Sequence, residues 1–288
     1  MLKILAPAKI NLTLEVLGRR PDGFHELKSV VQTVSLHDEV YLEESEETII
    51  SSDSNEWDSQ KSLVSTAVNL LREATGANRG VTIKIVKNIP LVSGMGGDSS
   101  DAAAVLRGLN EIWNVGFSFN QLYKIAEQLG SDVPLFLYGG TLLIEGRGEK
   151  VTTLPPVSFF RAMIVMPSVS RSPGKTARLY ASLDTNHYTD GTITLRMVES
   201  IKKGQPLSPE LLFNTFENVV FNPSHELAKY QRHLQKLGLS HVHLTGSGPA
   251  MFALLNDRVE DGITRQIEVS GMKTFIVQPV YRDDIMNV

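Results

Sequence analysis

LVSGMGGDSS occupies residues 91–100, and the reading of these ten residues decides what the rest of the chain is built around. Upstream, VTIKIVKNI at 81–89 alternates apolar and polar side chains, the period of a half-buried strand, until Pro90 stops it. Downstream, an Ala-rich pattern over 99–115 has helical spacing, with Ser99 or Ser100 as the expected N-cap. A glycine-rich turn from strand to helix suits an anion: glycines let backbone N–H groups approach, and the helix dipole adds partial positive charge. Neither common nucleotide fingerprint is present. The loop lacks a Walker GK[ST] ending, and no acidic residue stands where a dinucleotide site needs one. Taken alone, such a turn is more often plain connection than phosphate cradle. Asp98 sharpens the question, because a carboxylate repels the ligand that the glycines would hold.

The whole chain has 288 residues, 42% hydrophobic and 21% charged, which allows a sizeable core and excludes a disordered composition. Its net charge of −4 offers no basic field to nucleic acid or anionic lipid. The lack of cysteine removes disulfides, thiolate nucleophiles and Cys-bound metals, and fits a reducing compartment. Lys3, Pro7 and Lys9 interrupt any N-terminal export signal, and no apolar run approaches the ~18 residues of a membrane span. The expectation is a cytoplasmic protein, monomer or homodimer, with neither nucleic acid nor membrane as partner.

Outward from the loop, INLTLEVL at 10–17 has strand alternation, and GRRPDG at 18–23 is a turn. Strands are expected near 28–36 and 38–43, with the acidic run Glu43, Glu44, Glu46 and Glu47 as a solvated edge. Helical spacing covers 61–74, ending near Gly76, and again 119–129. Composition shifts near Pro155-Pro156. Beyond it come a strand at 161–166, helical material to about 203, a helix at 223–237, strands at 241–245 and 250–255, a helix at 258–268 and a strand at 273–280. That order is compatible with a split βαβ, ferredoxin-like second half. The fold class expected is α+β in two domains, 1–155 and 156–288.

Two further stretches change the reading of the loop. PAKINL at 7–12 is followed by RRPDGFHEL at 19–27, and LTGSGPAMFALL stands at 244–255. With the glycine loop they resemble the three motifs of the GHMP small-molecule kinases. The N-terminal pair, together with GSDVPLFLYGG at 130–140, narrows the likeness to members whose acceptor carries a cytidine diphosphate. The resemblance covers most of the chain, in order. It implies a two-domain fold, an N-terminal α/β domain and a C-terminal ferredoxin-like domain, with the active site in the cleft between them. It implies ATP as phosphoryl donor, Mg²⁺ accompanying it, and a cytidine diphosphate sugar alcohol as the second substrate. Lys9 matches the family's catalytic lysine and Asp132 its catalytic aspartate; Asn11 and His25 match substrate-contacting positions. Pro90, Leu91, Val92, Ser93, Gly94, Met95, Gly96, Gly97, Asp98, Ser99 and Ser100 match the stretch around the ATP phosphates. Gly246 and Ser247, followed by Gly248, match the third motif beside the acceptor.

The likeness has departures. The family usually has Tyr where Phe24 stands, Asn where Ser62 stands, and most often Gly where Asp98 stands; the spacing to Tyr180 through VSRSPGKTARLY is longer. Phe24 and Tyr180 have the chemistry to sandwich a pyrimidine. Asp98 has two arrangements open to it, capping the helix that it begins or reaching the Mg²⁺ of ATP, and the cap is favoured. His241 and His243 share a strand face but have no acidic or cysteine partner nearby in sequence, so no protein-bound metal is assigned. Three other readings compete: a GHMP kinase for another small alcohol, an RNA-contacting module of similar architecture, and a non-catalytic relative.

Overall fold

The computed structural model describes residues 1–76, 79–169, 174–255 and 260–286. The first half runs β1 (Leu2–Asn11), β2 (Thr13–Arg19), β3 (His25–Ser45), β4 (Ile49–Ser52), α1 (Leu63–Thr75) and β5 (Gly80–Val86). It continues with α2 (Gly97–Ile112), α3 (Phe119–Leu129), α4 (Val133–Tyr138), β6 (Thr141–Gly146) and β7 (Lys150–Thr153). The second half runs β8 (Arg161–Met166), α5 (Lys175–Ala181), α6 (Thr192–Lys202), β9 (Phe213–Asn214), α7 (Glu217–Val220) and α8 (Glu226–Lys236). It ends with β10 (His243–Leu244), β11 (Met251–Leu255), α9 (Glu260–Val269), β12 (Lys273–Val277) and α10 (Arg282–Met286). Residues 258 and 259 of the helix expected over 258–268 lie outside the described residues.

β3 organises the first sheet. The strands expected separately at 28–36 and 38–43 are one strand of 21 residues, which pairs in turn with β2, β6, β1 and β5. The apparent break is a register shift between Pro7 and Ala8 of β1, opposite which the Ser35 N–H bonds Gln278 O at 2.9 Å instead. The strand expected over 10–17 is itself interrupted at Leu12. Alternation passes through the bend unchanged because Leu12 still bonds Val30 O at 2.8 Å, so periodicity cannot reveal it. α4, β6 and β7 lie in a stretch too uniformly apolar, or too short, to carry a period. The α2 helix begins at Gly97 with Gly96 as its N-cap, so neither Ser99 nor Ser100 caps it. Gly96 takes that place because the chain enters the helix at φ +75°, which an L side chain rarely adopts.

The second sheet has the order β10-β11-β8-β12, antiparallel throughout. Renumbered within that half, this is the 2-3-1-4 order of the ferredoxin-like split βαβ. The halves are not merely tethered. Ala8, Ile10, Ile89 and Met95 of the first share one buried cluster with Ile164, Met197 and Phe252 of the second. β9 also pairs in parallel with β2, and the Val280 N–H bonds Thr33 O at 2.9 Å. A shared apolar core of this kind fixes the walls of whatever cleft the halves enclose. Among the described residues, no helix is long and apolar enough to cross a membrane.

Candidate active site

The end of β1, the start of β3, the glycine loop, the N-terminus of α4, α5 and the turn at 245–249 enclose a cleft of about 1350 Å³. Lys9 and Asn11 flank Ile10 on β1, so strand alternation sends Ile10 into the core and leaves its neighbours on the cleft side. Lys9 Nζ donates to Asn11 Oδ1 at 2.6 Å. The same oxygen accepts from the Gly246 N–H at 2.8 Å, while Asn11 Nδ2 donates to Ser29 Oγ at 2.9 Å. One amide therefore holds the lysine, β3 and the third motif in a fixed relation. Burial pushes the Lys9 ammonium below the ordinary lysine range, and the charge of Asp132 opposes that shift. Asp132 sits at the N-cap position of α4 but makes no side-chain cap bond, and it lines the cleft.

Within the loop, Val92, Gly94 and Gly96 line the cleft, while Ser93 and Met95 are buried in its support. Met95 O accepts from the Lys9 N–H at 3.0 Å, and Ser93 O from the Ala250 N–H at 3.1 Å. Gly94 stands at φ +88°, where a Cβ would run into Thr245 O; a Cβ on Gly96 would lie 2.7 Å from the Phe136 ring. Pro90 and Leu91 lead into the loop, and Gly97 begins α2 close to Ile89. Ser99 is half-buried on the first turn of α2. Ser100 Oγ is buried there with no hydrogen-bond partner among the described residues. Behind the loop, Lys87 Nζ bonds Asp38 and, at 2.6 Å, Asp101 Oδ2; Asp38 Oδ1 accepts from the N–H groups of Asn88 and Ile89 at 2.6 and 2.7 Å. Burial raises the Asp101 carboxyl, with the Lys87 charge opposing. This ion cluster ties the chain entering the loop to the helix leaving it.

Asp98 is turned toward a different helix from the one expected. Ser62 Oγ donates to its Oδ1 and the Leu63 N–H to its Oδ2 at 3.0 Å, so both oxygens serve the start of α1, not α2. Ser62 is itself the N-cap of α1, accepting from the Val64 N–H at 3.1 Å. Thus Ser62 and Asp98, two of the departures from the family pattern, contact each other.

At the far end of the cleft, the Tyr180 ring stacks on His25 at 4.9 Å and 24°, and meets Phe216 edge-on at 4.9 Å. One face of Tyr180 meets His25, and Phe24, 53% exposed, lies under the Arg147 guanidinium at 5.0 Å. Burial, followed by the charge of Asp132, raises the Tyr180 hydroxyl, which stays protonated. Burial and then Arg19 lower the His25 imidazole, so it is neutral at neutral pH. Ser247 Oγ lies 2.8 Å from Thr176 Oγ1. His243 bonds Glu217 at 3.2 Å, outside the cleft. The cleft also contains Ser29, Arg147, Lys175 and Tyr188, none of which the sequence reading singled out. None belongs to the three motifs that carry the family resemblance, and proximity in the fold marks them.

A strand-to-helix glycine loop, a buried lysine beside a carboxylate and a ferredoxin-like second half define the class of small-molecule kinases that this fold serves. Residues 62–140 match the model of the GHMP kinases N terminal domain and residues 197–268 that of the GHMP kinases C terminal, and the chain belongs to the GHMP kinase family. Within it, the chain is 49% identical over 258 residues to a 4-diphosphocytidyl-2-C-methyl-D-erythritol kinase of Dehalococcoides mccartyi, covering 90% of each chain. It is 37% identical to the protein of that name from Bacillus cereus, covering 96% of this chain and 94% of the other. A crystal structure of 4-(cytidine 5'-diphospho)-2C-methyl-D-erythritol kinase superposes with a TM-score of 0.81 at 29% identity, covering 97% of this chain and all of the other. Homoserine kinase from Cytophaga hutchinsonii shares the fold, with a TM-score of 0.72 at 18% identity over 98% of this chain and 95% of the other.

Proposed function

We propose that this protein transfers the γ-phosphoryl group of ATP to the 2-hydroxyl of 4-diphosphocytidyl-2-C-methyl-D-erythritol, giving the 2-phosphate and ADP, a step of isoprenoid precursor synthesis in the cytoplasm. The observation that carries this reading is that Lys9, Asp132, the glycine loop and the His25–Tyr180 pair line one cleft. Phosphoryl transfer asks mainly for positioning and charge stabilisation. Asp132 takes the proton of the tertiary alcohol, a poor nucleophile, as the new O–P bond forms. Lys9 neutralises charge building on the transferred group. Asn11 keeps the lysine aimed, through the 2.6 Å bond to its ammonium. The N–H groups of Gly94 and Gly96 face the phosphates, and the neutral His25 ring, with Phe24 and Tyr180, receives the cytosine. The Ser100 hydroxyl, with no hydrogen-bond partner among the described residues, would offer an oxygen ligand to the Mg²⁺ that escorts ATP; the ion, when bound, neutralises phosphate charge.

The test is ADP release from purified protein with ATP and Mg²⁺ over four alcohols: the diphosphocytidyl acceptor, mevalonate, homoserine and galactose. Turnover confined to the first supports the reading. Preference for another alcohol makes the protein a different GHMP kinase, and no turnover with any makes it a non-catalytic relative.

A further inference from the structure

Lys175 lines the same cleft as Lys9 and Asp132 and has no role in the chemistry described so far. Its Nζ is sealed from water and has no hydrogen-bond partner among the described residues. An ammonium withdrawn from water without a counter-charge is costly, and proteins seldom keep one that serves only packing. Burial alone lowers it to about 8, with no carboxylate opposing the shift. Burial and then the Lys175 charge lower the nearby His225 imidazole, so among the described residues no anion answers the lysine.

The position of Lys175 on α5 says which anion. In the first turn, the next residue, Thr176, lies 2.8 Å from Ser247, beside the Gly246 that bonds Asn11. In the last turn, Tyr180 stacks on His25. The tyrosine stands five positions after the lysine, a helical rise of about 7.5 Å. An acceptor with its cytosine at His25 and its alcohol at Lys9 and Asp132 must lay its diphosphate between these ends, on the other side of the ribose from the base. Lysine is suited to that task, since its flexible four-carbon stem can bring a compact point charge onto a phosphate.

We propose that Lys175 is the cation that receives the diphosphate bridge of the acceptor, an assignment that rests on the function proposed above. The bridge supplies the missing partner, and the lysine separates cytidine diphosphates from cytidine derivatives that carry no phosphate. Arg147, at the mouth, lies over the Phe24 ring and so sits toward the base end of the same ligand.

The experiment is calorimetric titration of wild type and Lys175→Met with cytidine, CDP and ATP, without turnover; a non-hydrolysable ATP analogue fills the donor site during the cytidine and CDP runs. Wild type should bind CDP at least about tenfold more tightly than cytidine, the strength of a charge-assisted contact. Lys175→Met should lose most of that difference and leave cytidine and ATP affinities within about twofold. Its melting temperature should equal or exceed that of wild type, since an unpaired buried charge has gone. Should the methionine variant fail to fold, Lys175→Gln reads the same difference. Unchanged CDP preference, or equal loss for cytidine, overturns the assignment, as does loss for ATP, which would move the lysine to the donor phosphates. Wild type that binds neither cytidine nor CDP overturns the acceptor itself, and is thereby distinct from failure of the lysine alone.

Discussion

Lys9 and Asp132 depend on each other in a way that neither residue shows alone. Burial draws the lysine toward neutrality and the aspartate's charge holds it back. Lys9→Ala and Asp132→Asn should each lower kcat by about 10²-fold or more, the scale of lost acid–base or electrostatic assistance, with the fold intact. Asp132→Asn should also move the alkaline limb of the residual kcat profile to lower pH. The sign follows from the cause: without the carboxylate nothing opposes burial, and Lys9 gives up its proton earlier. Stopped assays across pH measure both, and near-wild-type turnover in either variant would strip that residue of its role. The ring of Phe24 makes a different demand. Being more exposed than buried and roofed by Arg147, it is no core residue. Phe24→Ala should raise the acceptor KM by about ten- to a hundredfold and leave the ATP KM almost unchanged. Equal damage to both would show that it supports the cleft wall instead. Motif position singled out Lys9, Asp132 and His25 as candidates, and the fold brings all three to one cleft. The partners of Asn11 were not legible in sequence, because Ser29 and Gly246 meet it through strand pairing and a turn 235 residues away.

At the scale of elements, the start of α1 explains the carboxylate in the glycine loop. A helix N-terminus has free N–H groups and partial positive charge, and Asp98 supplies an acceptor there together with the Ser62 hydroxyl. Sequence posed the choice between capping α2 and ligating a metal, and the contacts that Asp98 makes are those of a cap on α1 instead. The helix it serves could not be read, since its contact residues lie 35 and 36 positions away and local periodicity carries no such information. The same limit hid α4 and the bend at Leu12, whereas α1 and α3 announced themselves by helical spacing, α1 also by Gly76 at its end. Asp98→Gly should therefore destabilise the protein by about 1–2 kcal/mol, the range of a lost cap and a lost dipole partner, with ATP KM equal or lower. The Mg²⁺ concentration giving half-maximal rate should stay where it is. A marked rise in that concentration would make Asp98 a metal ligand after all.

The whole molecule works because its halves close on each other along one seam. The Ala250 N–H bonds Ser93 O at 3.1 Å, Gly94 packs against Thr245 and Gly248, and a Cβ on Gly246 would lie 2.9 Å from Gly94 O and 3.2 Å from Lys9 Nζ. The glycine loop and the third motif are thus packed backbone to backbone, which only glycine permits, and the shared core beneath them prevents easy retreat. Gly94→Ala forces a choice: the loop must leave Thr245, or the turn must leave Lys9 and Asn11. Either movement separates donor from acceptor, and misplacement of about 1 Å is enough to cost roughly 10²-fold in rate. Gly116→Ala supplies the control, for Gly116 also stands at positive φ, +73°, but nothing lies within 4 Å of the added methyl. Both variants carry the backbone strain of about 1–2 kcal/mol, so both should melt a few degrees early. Only Gly94→Ala should also lose kcat/KM by about a hundredfold, with the loss shared by ATP and acceptor because the seam positions both. Equal activity in the two variants would mean that the seam is packing and nothing more, and that the loop holds its phosphates without help from the second half of the chain.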